Sequence, residues 1–102
     1  MRVLTTYKNG LLTLYFKGEL DHHEARDATD GIERIIDEYL PRDCIMDMSG
    51  LTFMDSSGIA LLLRTERLMR ELDGSLTVIG LPEQPGRVLQ ASGMAKRLTI
   101  LD

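Results

Sequence analysis

An α/β domain is the fold this sequence predicts, and three observations predict it. Strand-like runs alternate with helix-like runs along most of the chain, which implies βαβ crossovers, a largely parallel sheet and helices packed on it. At the start, Asn9-Gly10 separates two runs of apolar, β-branched and aromatic residues, the strongest short signal for an antiparallel hairpin. The length of 102 residues provides for one core and not for two, so residues 1–102 are read as a single domain. The predicted order is β-β-α-β-α-β-α-β: a mixed, mostly parallel sheet with an N-terminal β-hairpin and packed helices.

Residues 3–7 and 11–16 make the hairpin, and Gly18 ends its second strand. Asp21 followed by Glu24 matches a capping box, with Asp21 as N-cap and Glu24 reaching back to it. Ala25, Ala28, Ile32, Ile35, Ile36 and Tyr39 then recur at helical spacing, which predicts a helix from His22 to Tyr39 closed by Pro41. Its outer face is rich in acid, with Asp30, Glu33, Asp37 and Glu38. Asp43 to Met48 reads as a short buried strand that gives way at Ser49-Gly50. The second helix spans Ser57 to Leu72, with Gly74 expected at the C′ position. Leu61, Leu62 and Leu63 in succession imply that its first turns are buried nearly all round, and Arg64, Arg67 and Arg70 mark its solvent side. Leu76 to Ile79 is the next strand. A third helix opens at Leu81-Pro82-Glu83, runs to about Ala91 and stops at Ser92-Gly93, and Leu98 to Leu101 is the last strand.

Composition narrows the function. Apolar residues make up 43% and charged residues 27%, the balance of an ordinary globular domain. The net charge is −4 and the twelve Lys and Arg are scattered, which argues against a nucleic-acid partner, since phosphate backbones call for concentrated basic charge. No apolar stretch approaches the roughly 20 residues of a membrane span, and Met1-Arg2-Val3-Leu4 does not open a signal peptide, so no membrane partner is expected. A lone cysteine, Cys44, excludes an internal disulfide and fits a cytoplasmic protein.

The most informative segment is Asp55-Ser56-Ser57-Gly58, where a strand turns into a helix. A helix N-terminus carries roughly half a positive charge and suits an anion such as phosphate, so a serine there has the makings of a phosphorylation switch. The plainer reading is helix capping, with Ser56 or Ser57 as the N-cap and Asp55 and Gly58 shaping the turn. Yet one cap would suffice and three candidates stand in a row. Phe53 and Met54 flank the turn as apolar groups to offer to a partner. A nucleophilic serine is disfavoured, because Met54 stands where a G-x-S-x-G elbow needs glycine and the only histidines open another helix. Those histidines, His22 and His23, diverge by about 100° on a helix and make a poor metal pair, so no metal or other cofactor is expected. Asp21, His22 and His23 instead read as cap and partner surface. The Arg64, Arg67, Arg70 row reads as a solvated face, with docking of an acidic partner as the alternative.

With these residues in place, the chain resembles the bacterial anti-sigma factor antagonists of the STAS domain family, in particular the sporulation type. Gly18-Glu19-Leu20-Asp21-His22-His23 is similar to the segment before that type's first helix, and Leu51-Thr52-Phe53-Met54-Asp55-Ser56-Ser57-Gly58 to its phosphorylation loop. Ala91-Ser92-Gly93-Met94 resembles its closing passage from helix to strand. The resemblance implies a STAS-like fold without catalysis of its own. It implies that the unphosphorylated form binds an anti-sigma factor that is also a serine kinase, which frees the sigma factor. It also implies phosphorylation at the serine after the loop aspartate, here Ser56, and reversal by a serine phosphatase. With Ser56 as the phosphoacceptor, Ser57 is expected to cap the helix. A STAS scaffold or transport-complex subunit without the phospho-switch is the alternative. The sporulation type continues into a further helix, whereas this sequence ends at Asp102, so packing at that end is expected to differ.

Overall fold

In the computed structural model, which describes residues 1–101, the predicted order of elements is realised. Strands β1 (Arg2–Lys8) and β2 (Leu11–Leu20) form the antiparallel hairpin; α1 (His22–Tyr39), β3 (Asp43–Met54), α2 (Ser56–Glu71), β4 (Ser75–Ile79), α3 (Glu83–Ser92) and β5 (Thr99–Leu101) follow. A short 3₁₀ turn, Ala95–Arg97, precedes β5 and was not anticipated from sequence.

The five strands lie in sequence order, β1-β2-β3-β4-β5, and every pair after the first is parallel. Each crossover therefore steps in the same direction. Since such crossovers are right-handed, all three helices fall on one face of the sheet. Burial follows: Leu12, Leu14, Phe16, Met46, Met48 and Val78 are sealed under the helices. Their neighbours on the other face, Thr13, Tyr15, Ile45 and Thr77, are half-buried or exposed. From α1 the core takes Ala25, Ile32 and Ile36, while the predicted core residue Tyr39 lies outside, stacked on Tyr7 with ring centroids 4.6 Å apart.

Several boundaries differ from the sequence reading, each for a physical reason. Gly18 does not end β2, which runs to Leu20. Similarly β3 passes through Ser49-Gly50 to Met54. The ladder between β2 and β3 shifts register twice, between Tyr15 and Lys17 and between Gly18 and Glu19, with the extra residues on β3. These bulges break the alternation on which the sequence reading relied, so the buried residues of β3 run Met46, Met48, Leu51, Met54. Gly50 sits at the first bulge, where a Cβ would come within 2.5 Å of the Phe16 carbonyl oxygen. At the end of α2 the left-handed residue is Asp73 (φ 57°) and not Gly74. The Asp73 N–H donates to Arg70 O and the Gly74 N–H to Met69 O, the paired bonds of a Schellman ending.

Candidate functional site

The parallel strands β2 and β3 end side by side, with Leu20 opposite Met54, so helices α1 and α2 start side by side as well. Each start carries an aspartate as N-cap. Oδ1 of Asp21 accepts from the backbone N–H groups of His23 (3.0 Å) and Glu24 (3.1 Å). Glu24 does not complete the capping box; its Oε1 lies 3.2 Å from the Met1 ammonium instead. At the second start the cap is Asp55 and not Ser57, as the sequence had led us to expect. Its Oδ1 accepts from the Ser57 N–H at 2.8 Å, and Oδ2 accepts from the His22 N–H at 3.0 Å. One carboxylate thus satisfies the start of both helices. A carboxylate wins over a hydroxyl here because its two oxygens reach in two directions, one to each helix start, and its charge suits two neighbouring positive helix ends.

This arrangement leaves the serines idle. Ser56 is the first residue of α2 and is exposed, and Ser57 is half-buried. Among the described residues, no hydrogen bond within the chain engages either hydroxyl. Gly58 brings the first turn of α2 down onto the strand ends, where a Cβ would overlap Cγ of Met54 and approach Cδ2 of Leu20 at 3.2 Å.

The proposed partner surface divides. His22 and His23 are exposed, with ring centroids 4.0 Å apart, and Nδ1 of His22 is 3.8 Å from Asp55 Oδ2. Asp21 is half-buried by its capping role. Phe53 is 38% exposed, an apolar residue open to solvent beside the turn. Met54 is 0% exposed, so it belongs to the core and offers nothing to a partner. The second register shift sets this pair, sending Met54 inward beneath Gly58 and leaving Phe53 outside.

Beside Ser57, α1 and α2 enclose a groove of about 380 Å³ lined by His22, Ala25, Thr29, Ala60 and Arg64 among others. Arg64, which lines it, pairs with Glu33 with Nε and Oε1 2.7 Å apart, and this hydrogen bond, then the charge of Glu33, raises the guanidinium pKa above its usual value. Arg67 pairs with Glu71 and Arg70 with Glu66, so every arginine of the row already has an acidic partner within the chain. Cys44 is sealed in β3, where burial pushes its thiol up to about 12, far from the range of a reactive thiolate. No helix of the described residues is long and apolar enough to cross a membrane.

The family model for the STAS domain matches residues 2–102. The chain belongs to the STAS family. An anti-sigma F factor antagonist of Paenibacillus polymyxa is 29% identical over 106 aligned residues, covering 100% of this chain and 87% of that protein. One of Lysinibacillus sphaericus is 32% identical over 77 residues, covering 76% of this chain and 66% of that protein. Among solved structures, the anti-sigma factor antagonist SpoIIAA in its unphosphorylated form superposes with a TM-score of 0.83 at 24% identity, covering 99% of this chain and 89% of that one. The phosphorylated form of Bacillus SpoIIAA superposes at 0.75, also at 24% identity, over 99% and 92% of the two chains. The STAS fold expected from the motifs is therefore the fold observed.

Proposed function

We propose that this protein is a cytoplasmic anti-sigma factor antagonist switched by phosphorylation of Ser56. Unphosphorylated, it binds an anti-sigma factor that is also a serine kinase, and the sigma factor is released. The kinase then modifies Ser56, a serine phosphatase restores it, and the domain itself catalyses nothing. The observation that carries this reading is an exposed Ser56, without a side-chain hydrogen bond among the described residues, at a helix start whose capping is done by Asp55. Relatives named as anti-sigma F factor antagonists, matching most of the chain, support the same assignment.

The chemistry of the switch follows from this placement. A phosphate adds about −1.5 to −2 charge. Because the hydroxyl caps nothing, modifying it removes no bond, and the positive end of α2 tolerates the anion. The folded backbone therefore persists. In a docked complex, however, the dianion beside Asp55 would have to shed its water. A penalty of ~3 kcal/mol weakens binding more than a hundredfold. The docking face comprises Ser56, Phe53, His22, His23 and the neighbouring groove between α1 and α2.

Intact-protein mass after incubation with ATP and a candidate anti-sigma kinase tests the assignment. Wild type and Ser57→Ala should each gain a single phosphate, and Ser56→Ala none. A phosphate lost in Ser57→Ala and kept in Ser56→Ala would move the acceptor by one residue. No phosphate on wild type, with the kinase active on another antagonist, would leave a STAS scaffold without the switch.

A further inference from the structure

The strand that delivers Ser56 has an incomplete neighbour. β4 pairs with β3 only from Asp43 to Asp47 and ends at Ile79, so beyond that point β3 has a strand on its β2 side alone. At Met54 the missing partner is supplied by one side chain from α3. The Met54 N–H donates to Oε1 of Gln84 at 2.9 Å, and Nε2 of Gln84 donates to the Met54 carbonyl oxygen at 2.9 Å. A carboxamide thus makes the reciprocal pair of bonds that a residue of an antiparallel neighbouring strand would make. Gln84 is the second residue of α3, which starts at Glu83 behind Pro82 as an N-cap residue that makes no side-chain hydrogen bond. Met54 is buried, so its backbone groups have little access to water as a substitute.

From this geometry we propose that Gln84 is a positioning residue for the Ser56 loop, an inference that rests on reading Ser56 as the phosphoacceptor. Asp55 and Ser56 continue from a strand end held on both sides. On one side Leu20 pairs with Met54, and its carbonyl accepts from the Asp55 N–H at 3.3 Å. On the other side stands Gln84. Without the carboxamide that second side is open, and Asp55 and Ser56 sample a wider range of placements before the kinase.

Gln84→Met tests this, since it keeps the reach of the side chain and removes both bonds. Amide hydrogen exchange of the protein alone should show the Met54 amide exchanging about tenfold faster or more, the factor expected for one exposed backbone bond. Amides at Asp55 to Ser57 should follow, while those of Cys44 and Met46 in the sheet centre keep their wild-type rates. Phosphorylation by the anti-sigma kinase should fall about tenfold in kcat/KM, with Ser56→Ala as the blank. Unchanged Met54 exchange would overturn the proposal. So would an even rise across all core amides, the mark of a purely structural role, or a kcat/KM of Gln84→Met equal to that of a wild type that is phosphorylated at Ser56. If wild type takes no phosphate at Ser56, it is the reading of the acceptor that fails, and the exchange comparison alone then decides whether Gln84 fixes that strand end.

Discussion

Helices α1 and α2 begin at the same end of the sheet, each behind an aspartate, yet the two starts are built differently. Asp21 serves only its own helix, with one oxygen accepting from two N–H groups. Asp55 divides its carboxylate, one oxygen for Ser57 in α2 and the other for His22 in α1. The first start is self-contained and the second is a junction between helices. The contrast explains why a phosphate on a serine beside the junction, as proposed for Ser56, would break no cap. Capping belongs to the acid before it, so the hydroxyl is a bystander to stability and available for chemistry.

Substitutions at the two helix starts put this contrast to the test. The largest effect should come from Ser56→Asp, which places a fixed charge at the junction. Affinity for the anti-sigma kinase should fall more than a hundredfold by calorimetry or surface plasmon resonance, at ~3 kcal/mol. Amide spectra should meanwhile change only around residues 53–58 and His22; a rearranged core would contradict the bystander role. Gly58→Val comes next, because its branches would drive into Met54 and Leu20. Urea unfolding should register a loss of about 2 kcal/mol, typical of overpacking.

Removing the carboxylates then compares the two starts directly. Asp55→Ala should cost about 1–3 kcal/mol, since both a cap and an interhelical bond are lost, and Asp21→Ala about 1 kcal/mol. Equal losses would mean that the Asp55–His22 bond contributes nothing and that the junction is two independent caps. The smallest effect belongs to Ser57→Ala, expected to stay within about 0.5 kcal/mol of wild type by the same unfolding measurement. A loss near that of Asp55→Ala would return the capping role to the hydroxyl.

Much of this architecture was legible in the chain. Asn9-Gly10 marked the hairpin, Asp21 marked the start of α1, and the apolar spacing to Ile36 marked its buried side. The turn Asp55-Ser56-Ser57-Gly58 stood out as a strand-to-helix passage, and the structure puts it there. The extension of β3 was not legible, because its two bulges replace alternation by the spacing Met48, Leu51, Met54. The same displacement hid the inward turn of Met54 and left Phe53 as the exposed member of the pair. Gln84 gave no signal at all. A glutamine in the first turn of a helix looks like any solvated residue until the strand end opposite it is known.

Local signals in the chain were enough for the order of elements, the mixed sheet and the placing of an acid and two serines at one turn. Those features follow from periodicity and turn chemistry, which act between residues a few positions apart. Tertiary structure decided which of the three polar residues caps α2, which neighbour of the turn is buried, and what holds the strand end behind Ser56. Each of these was settled by a contact between distant parts of the chain: 33 residues separate Asp55 from His22, and 30 separate Met54 from Gln84. Three polar residues in a row are near equals as caps until packing brings a second helix start within reach, and then a carboxylate, with two separate oxygens, reaches both where a single hydroxyl oxygen reaches one.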